Sequence, residues 1–349
     1  MCPGDVINTG NYQPPCRTAA RRGCSCGQCK FNHTLAGKIP VNSFSTCQPR
    51  EGAMRIISRR SFIRSAMAAG GAAAISPVFS MAQQMKKYDF KISLAAWSLR
   101  PWFDKTWTNL DLPRIVREDF NLDGLEFVNS FFTLPRYNYL NDLKKRADDY
   151  GVTLVLIMCD DDGDMSHNEK SEREIAVRLH HKWIDCAWFL GCHAIRGNAR
   201  TRTPGTDEER VKRCAESYHS LCEYADQAGI NVTVENHGGF SSDPVHLVSL
   251  AKQVDHPRFG LLPDYGNFDK SVDRYEALEM TMPYAKAVSV KCRDFDENGH
   301  HEAWDLDRMV KITFDSGYRG FMGIEAGSRN MRHWDNVRAC RDLMLKYKA

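Results

Sequence analysis

The hydrophobic pattern of this chain is a series of short apolar runs separated by longer amphipathic stretches. From residue 90 onward the runs KISLAAW, LEFVN, TLVLIMC, AIRGN, INVTVEN, GLLPD, AVSVKC and FMGIE end at Trp97, Asn129, Cys159, Asn198, Asn236, Asp264, Cys292 and Glu325, about thirty to forty residues apart. Their β-branched content and length suit buried strands. The stretches between them have helical periodicity, as in SEREIAVRLHHKWIDCAWFLG and TDEERVKRCAESYHSLCEYADQAG. Both open on a capping-box pattern, Ser171 with Glu174 and Thr206 with Glu209. Both close on a glycine, Gly191 and Gly229, suited to the left-handed cap before the next strand. Asp243 followed by Pro244 marks another helix start.

Eight strands alternating with eight helices over residues 86–349 fit a (β/α)8 TIM barrel, which typically takes ~250 residues. An open doubly wound sheet is the competing arrangement. It would carry a glycine-rich phosphate loop after its first strand, and KISLAAWSLRPWF has none.

Composition divides the chain. Residues 1–85 hold ten Lys/Arg against two Asp/Glu, so within an overall charge of +3 the remainder carries −5. An acidic body argues against nucleic acid as a partner, because phosphate binding needs a basic footprint. Within the basic front, SRRSFIRSAMAAGGAAAISPVFSMAQ has a twin arginine at Arg59 and Arg60, an apolar stretch from Ala66 to Ile75, and Ser80-Met81-Ala82 as a small-x-small cleavage site. It resembles a twin-arginine export signal, which implies a periplasmic or otherwise exported protein folded first in the cytoplasm. Its apolar run is shorter than the ~20 residues of a membrane span, so the mature protein is expected to have no stable membrane insertion. The expected domains are an extension over 1–53, disordered or arising from a mis-chosen start, the signal over 54–85, and the barrel over 86–349. Six of the thirteen cysteines fall in the extension, where CSCGQC lacks the paired spacing of a zinc ribbon. The other seven are scattered singly, as buried free thiols are.

In a barrel of this kind reactive groups lie at the C-terminal ends of the strands. Those ends carry Trp97, Glu126, Asp160 to Asp162, Asn198, Glu235 with His237, Asp264 with Asn267, Ser289 with Lys291, and Glu325. Carboxylates thus converge from strands five, six and eight, and such a cluster calls for a divalent cation or a lysine as counter-charge. Gly238 and Gly239 leave open space in front of Glu235. Trp97, Trp102, Phe103 and Trp107 cluster after the first strand, where aromatic side chains either close the barrel or offer flat faces to a ligand. His237 either binds substrate or is a structural histidine. The acidic run CDDDGDMSH reads as a solvated loop, His300 and His301 as a water-facing turn, and Asp305 as a helix cap.

VTVENHGG, GLLPDYGNF, VSVKCRDFDENG and GYRGFMGIEAG together resemble the sugar phosphate isomerase/epimerase family, the xylose isomerase-like barrels, over about residues 90–349. The resemblance implies a divalent metal, Mn2+, Mg2+, Co2+ or Zn2+, held by Glu235, Asp264 and Glu325. The two glutamates would also move protons. Where the family often has a histidine ligand, this chain has Ser289, which weakens the implied site. Lys291, two residues along on the same strand face, could steady a developing oxyanion. The activity implied is isomerisation or epimerisation by proton abstraction next to a carbonyl. Glu235, Glu325 and Lys291 would be catalytic, and His237, Trp97, Asn198 and Asn267 would bind substrate. Export favours an unphosphorylated sugar or derivative. A lyase acting on 3-keto sugars or glycosides by the same abstraction, and a non-catalytic sugar-binding barrel, are the alternatives. An endonuclease IV-type barrel would need a histidine-rich zinc site and a basic groove, both lacking here. The expected partner is a small carbohydrate, and a homo-oligomer is compatible with the sequence.

Overall fold

The computed structural model describes residues 86–103, 106–328 and 332–349. The extension and the export signal read at residues 1–85 lie outside them. Eight parallel strands, β1 Lys91–Ala95, β2 Gly124–Val128, β3 Thr153–Met158, β4 Ala194–Asn198, β5 Asn231–Glu235, β6 Phe259–Leu262, β7 Val288–Cys292 and β8 Phe321–Ala326, follow the order β6-β5-β4-β3-β2-β1-β8-β7. Each ends within two residues of the position expected from its apolar run. The sheet then closes on itself. Between β6 and β7 the bridges Leu261–Ala285 and Asp264–Ser289 complete the circle, the second supported by Tyr265 N donating to Ser289 O at 3.1 Å and Ser289 N to Pro263 O at 3.0 Å. The result is a near-closed TIM barrel.

The helices are α1 Leu112–Arg114, α2 Tyr137–Tyr150, α3 Lys170–Leu190, α4 Asp207–Ala228, α5 Pro244–Val254, α6 Arg274–Thr281, α7 Leu306–Asp315 and α8 His333–Leu345. α1 is a single turn that runs on as a π-helix over Ile115–Asp119. Thr206 and Glu209 form the expected capping box, Asp243 caps α5 ahead of Pro244, and Asp305 caps α7. Gly191 (φ 79°) and Gly229 (φ 70°) end α3 and α4 in the left-handed region. Ser171 departs from expectation. α3 starts at Lys170, two residues earlier, so Ser171 lies inside its first turn and no side chain caps the helix. The start is set instead by Arg173, whose guanidinium donates to the His167 and Asn168 carbonyls at 3.0 and 3.2 Å.

The strands carry an apolar layer, with Leu94, Phe127, Leu156, Ile195, Val232, Leu261, Val290 and Ile324 all 1% exposed or less, while Ser93, Glu126, Arg196, Thr233 and Ser289 are buried polar positions on the same strands. The seven described cysteines are buried and free. Backbone bonds from Tyr88 N to Tyr347 O and from Ala349 N to Tyr88 O, both 2.8 Å, tie the chain end to the segment leading into β1. Among the described residues no helix is long and apolar enough to cross a membrane.

Candidate active site

The strand ends bring three carboxylates together: Glu235, Asp264 and Glu325 each offer an oxygen within 4.8 Å of the others. Glu235 is the last residue of β5, level with Asn198 on β4, and Glu325 lies opposite Lys291 on β7. Glu235 and Asp264 are fully buried, whereas the Glu325 side chain is 14% exposed. Burial raises the Glu235 pKa, against the opposing pull of Arg196.

Arg196, on β4, is 1% exposed and was not singled out from the sequence. Its guanidinium binds Asp160 Oδ1 at 2.7 Å and comes within 2.9 Å of Glu235 Oε2. That second approach is an ion pair without hydrogen-bond alignment, and both Arg196 Nε and Glu235 Oε2 are left without hydrogen bonds. The other glutamate oxygen accepts from Asn267 Nδ2 at 2.8 Å. Burial would push the Asp160 carboxyl up, but Arg196 overrides it and holds the pKa at about 2. A signal for Arg196 existed in the sequence. It lies two residues before Asn198, hence on the same inward face of the strand.

Asn198 connects Asp160 to His237. Its Nδ2 donates to Asp160 Oδ1 at 2.8 Å, so its Oδ1 is the acceptor facing His237 Nδ1 at 2.7 Å. His237 therefore carries its proton on Nδ1 and keeps Nε2 as an acceptor. Burial, and then the charge of Arg196, lowers its pKa to about 4, so the ring is neutral at pH 7.

Lys291 serves the opposite side. Its Nζ hydrogen-bonds Glu325 Oε1 and lies 3.6 Å from Asp264 Oδ2. Burial favours the neutral amine, but Asp264, Glu325 and Glu235 outweigh it and raise the pKa, keeping an ammonium. Ser289 Oγ donates to Asp264 Oδ2 at 2.7 Å, and Gly266 N donates to Oδ1 at 2.8 Å. Deeper in the barrel, Glu126 accepts from Ser93 Oγ at 2.6 Å, and burial raises its pKa to about 7. The glycine at 323 makes this possible, because a Cβ there would sit 2.2 Å from Glu126 Oε1.

Two adjoining cavities open over the cluster and share Trp97, Arg100 and Glu325. One, of about 610 Å³, also touches Phe103, Lys291, Arg293 and His333. The other, of about 340 Å³, touches Asp160, Arg196, Glu235 and His237. Trp97 is thus a wall of both, edge-on to Phe131 at 5.3 Å. Trp102 and Trp107 instead stack on each other at 5.4 Å and meet Trp334 edge-on. A groove of about 510 Å³ between α3 and α4, around Arg173, His181 and Tyr224, lies away from these groups.

Two sequence expectations fail near the mouth. The acidic run is not a solvated loop: Asp162 accepts from Trp183 Nε1 at 2.6 Å and from Asn129, Asp164 accepts from Thr201, and only Asp161 stays 90% exposed. His301 is buried, where Nε2 accepts from Arg293 N at 2.9 Å and the ring packs on Trp304 at 4.2 Å, while His300 stays exposed. Buried indole and backbone donors near these segments needed acceptors, and the nearest polar side chains were drawn in.

The donor set fits a hard divalent cation. Three carboxylates converge, and the buried Glu235 Oε2 has spare lone pairs and no hydrogen bond. Ser289, by contrast, spends its hydroxyl on Asp264 and brings no nitrogen ligand.

The xylose isomerase-like TIM barrel family matches residues 116–345. No curated protein matches the sequence. Among solved structures, a D-psicose 3-epimerase from Clostridium cellulolyticum H10 superposes with a TM-score of 0.58 at 16% identity, covering 74% of this chain and 100% of that one. A 3-keto-D-glucoside 4-epimerase from E. coli gives 0.58 at 14% identity, with 73% and 100% covered. The IOLI protein with a binding zinc atom gives 0.61 at 14% identity, with 74% and 100% covered. The neighbours share the fold at low identity, and the family match spans well over half the chain: this protein belongs to the xylose isomerase-like TIM barrel family.

Proposed function

We propose that this protein is a sugar epimerase or isomerase that moves a proton at the carbon next to a carbonyl. The observation that carries the reading is the trio Glu235, Asp264 and Glu325, with ligand oxygens within 4.8 Å, lying beneath two cavities at the C-terminal mouth. One glutamate takes the proton and the other returns it at another face or carbon. Lys291 supports the developing oxyanion with a fixed positive charge, and Asn267 orients Glu235. His237 receives a substrate hydroxyl on Nε2, and Trp97 offers an apolar face to the ring. A divalent cation held by Glu235, Asp264 and Glu325 would polarise the carbonyl oxygen.

The structural neighbours named as a ketose 3-epimerase and a 3-keto-glycoside epimerase support this substrate class. The second of them gives weight to a keto glycoside, on which the same abstraction followed by loss of a β substituent would be a lyase reaction. Export through Arg59 and Arg60 favours an unphosphorylated substrate in either case.

The test is solvent deuterium entering keto sugars and 3-keto glycosides, with metal analysis of protein purified without chelators. Exchange that stops with chelator and returns with Mn2+ or Mg2+ is expected, and Ser289→His should tighten the metal by adding a nitrogen ligand. An inert protein towards every keto sugar would end the reading. Exchange insensitive to chelator and lost in Lys291→Met would end the metal's part in it.

A further inference from the structure

The larger cavity carries more positive charge than the proposed chemistry uses. Arg100 follows β1 and Arg293 follows β7, and these strands are the two neighbours of β8 in the sheet. Both arginines therefore flank Glu325 and Gly327 on the cavity wall. The carboxylate in that lining, Glu325, is already bound by Lys291. Among the described residues neither Arg100 nor Arg293 has a carboxylate partner. Arg100 lies over the Trp97 ring at 5.1 Å, which steadies its stem and leaves the guanidinium's donors unspent. The Arg293 backbone is fixed by the bond from its N to His301 Nε2. Beside them His333 lines the same cavity, and its buried Nδ1 has no hydrogen-bond partner. In a body of net charge −5, a wall with two guanidiniums that have no carboxylate partner is a local reversal of sign.

We infer that the larger cavity binds an anionic group on the substrate, so that the sugar is an acid or its phosphate counterpart. This rests on the proton-transfer reading of the mouth and adds to it a substrate class and an orientation. Arginine forks match the two oxygens of a carboxylate or phosphate, whereas beside a neutral sugar the two exposed guanidiniums would be left to water. The charged end lies between Arg100 and Arg293. The reacting carbon then falls over Glu235 and Glu325, and the anion stays clear of Asp160 and Asp161 in the adjoining cavity. Export through the twin arginine favours the carboxylate.

The experiment measures binding of three ligands with one carbon skeleton, D-glucitol, D-gluconate and D-glucitol 6-phosphate, to the purified protein by titration calorimetry. One of the two anions should bind at least ~10-fold tighter than glucitol, and which one identifies the anion. The advantage should fall by ~10-fold or more in Arg100→Gln/Arg293→Gln, as the loss of charge-assisted hydrogen bonds predicts, and should return in part with lysine at both positions. Circular dichroism of each variant checks folding, and the single substitutions serve where the double variant does not fold. Equal binding of all three ligands, or an anion preference unchanged by the substitutions, overturns the inference. Deuterium exchange is measured separately on D-fructose and D-fructuronate. A protein that binds gluconate through the arginines but exchanges nothing keeps the anion site and loses the proton-transfer reading, and the converse result loses only the anion site.

Discussion

The two glutamates at the mouth both lie at the ends of barrel strands and have very different neighbours in space. Glu235, on the β4–β5 side, is 1% exposed, faces a guanidinium and an amide, and sits in a network that also holds Asp160 and Asn198. Glu325, on the β7–β8 side, is 14% exposed, meets an ammonium, and opens into both cavities. Arginine does not release its proton in proteins, whereas lysine is a compact charge on a flexible stem. The β4–β5 side is therefore a rigid frame that fixes one carboxylate, and the β7–β8 side is the adaptable half that meets the substrate.

The largest effect should come from breaking the frame. Arg196→Met leaves Asp160 and Glu235 buried without a counter-charge, a loss of roughly 3–5 kcal/mol for a broken buried pair. Lys291→Met should cost less stability than Arg196→Met, because Glu325 reaches solvent and Asp264 keeps its bonds from Ser289 and Gly266. Its turnover should still fall by ~10² through loss of oxyanion support. Thermal melts and deuterium exchange on the two variants separate stability from activity. Equal melting losses would erase the distinction between the two sides.

Next come the glutamates themselves. Glu235→Gln and Glu325→Gln keep size and remove the base, so each should cost at least ~10²-fold in exchange. Their melts should differ in size. Glu235→Gln strips Arg196 of one partner and should destabilise, while Glu325→Gln at a solvent-reached position should be nearly neutral. Wild-type exchange in either variant would remove that residue from the mechanism.

Much of this was legible in the sequence because it follows from period and position. Apolar runs fixed the strand ends, and inward alternation put Glu235, Asp264, Lys291 and Glu325 on one mouth. Arg196 was not legible as a partner, since a single arginine in AIRGN does not reveal which carboxylates of the adjacent strands it meets. Asp162 and His301 were misread for a related reason. Their acceptor roles depend on Trp183 and on the Arg293 amide, and loop geometry alone brings those donors within reach. Ser171 failed as a cap because Arg173 set the start of α3 from outside the local motif.

Glu126 tests the floor that both sides share. Its carboxyl is raised from 4.5 to about 7 by burial, so between those values the folded protein holds a proton that the unfolded chain has released. Stability then falls as pH rises through that window and levels off above it, by up to roughly 3 kcal/mol. Glu126→Gln keeps an acceptor for Ser93 and cannot ionise. Its melting temperature relative to wild type should therefore climb from pH 5 to pH 8, and a constant difference across that range would mean the carboxyl titrates normally.

The smallest effect sharpens the comparison on a single side chain. Glu235 is held at Oε2 by the charge of Arg196 and at Oε1 by the neutral amide of Asn267 at 2.8 Å. If charge sets the position of the carboxylate and the amide only trims its rotation, Asn267→Ala should lose about one neutral hydrogen bond, ~1 kcal/mol or about fivefold in exchange. Asn267 is only half-buried, so water can take its place on Oε1 and the melting temperature should scarcely move. Should the amide be what aims the carboxylate at the substrate, the loss would instead approach that of Glu235→Gln, with an unchanged KM and a reduced kcat. Steady-state kinetics of Asn267→Ala beside Asn267→Asp decide between the two. The aspartate puts a second carboxyl against Oε1 and should be worse than alanine only if that oxygen stays ionised and in place.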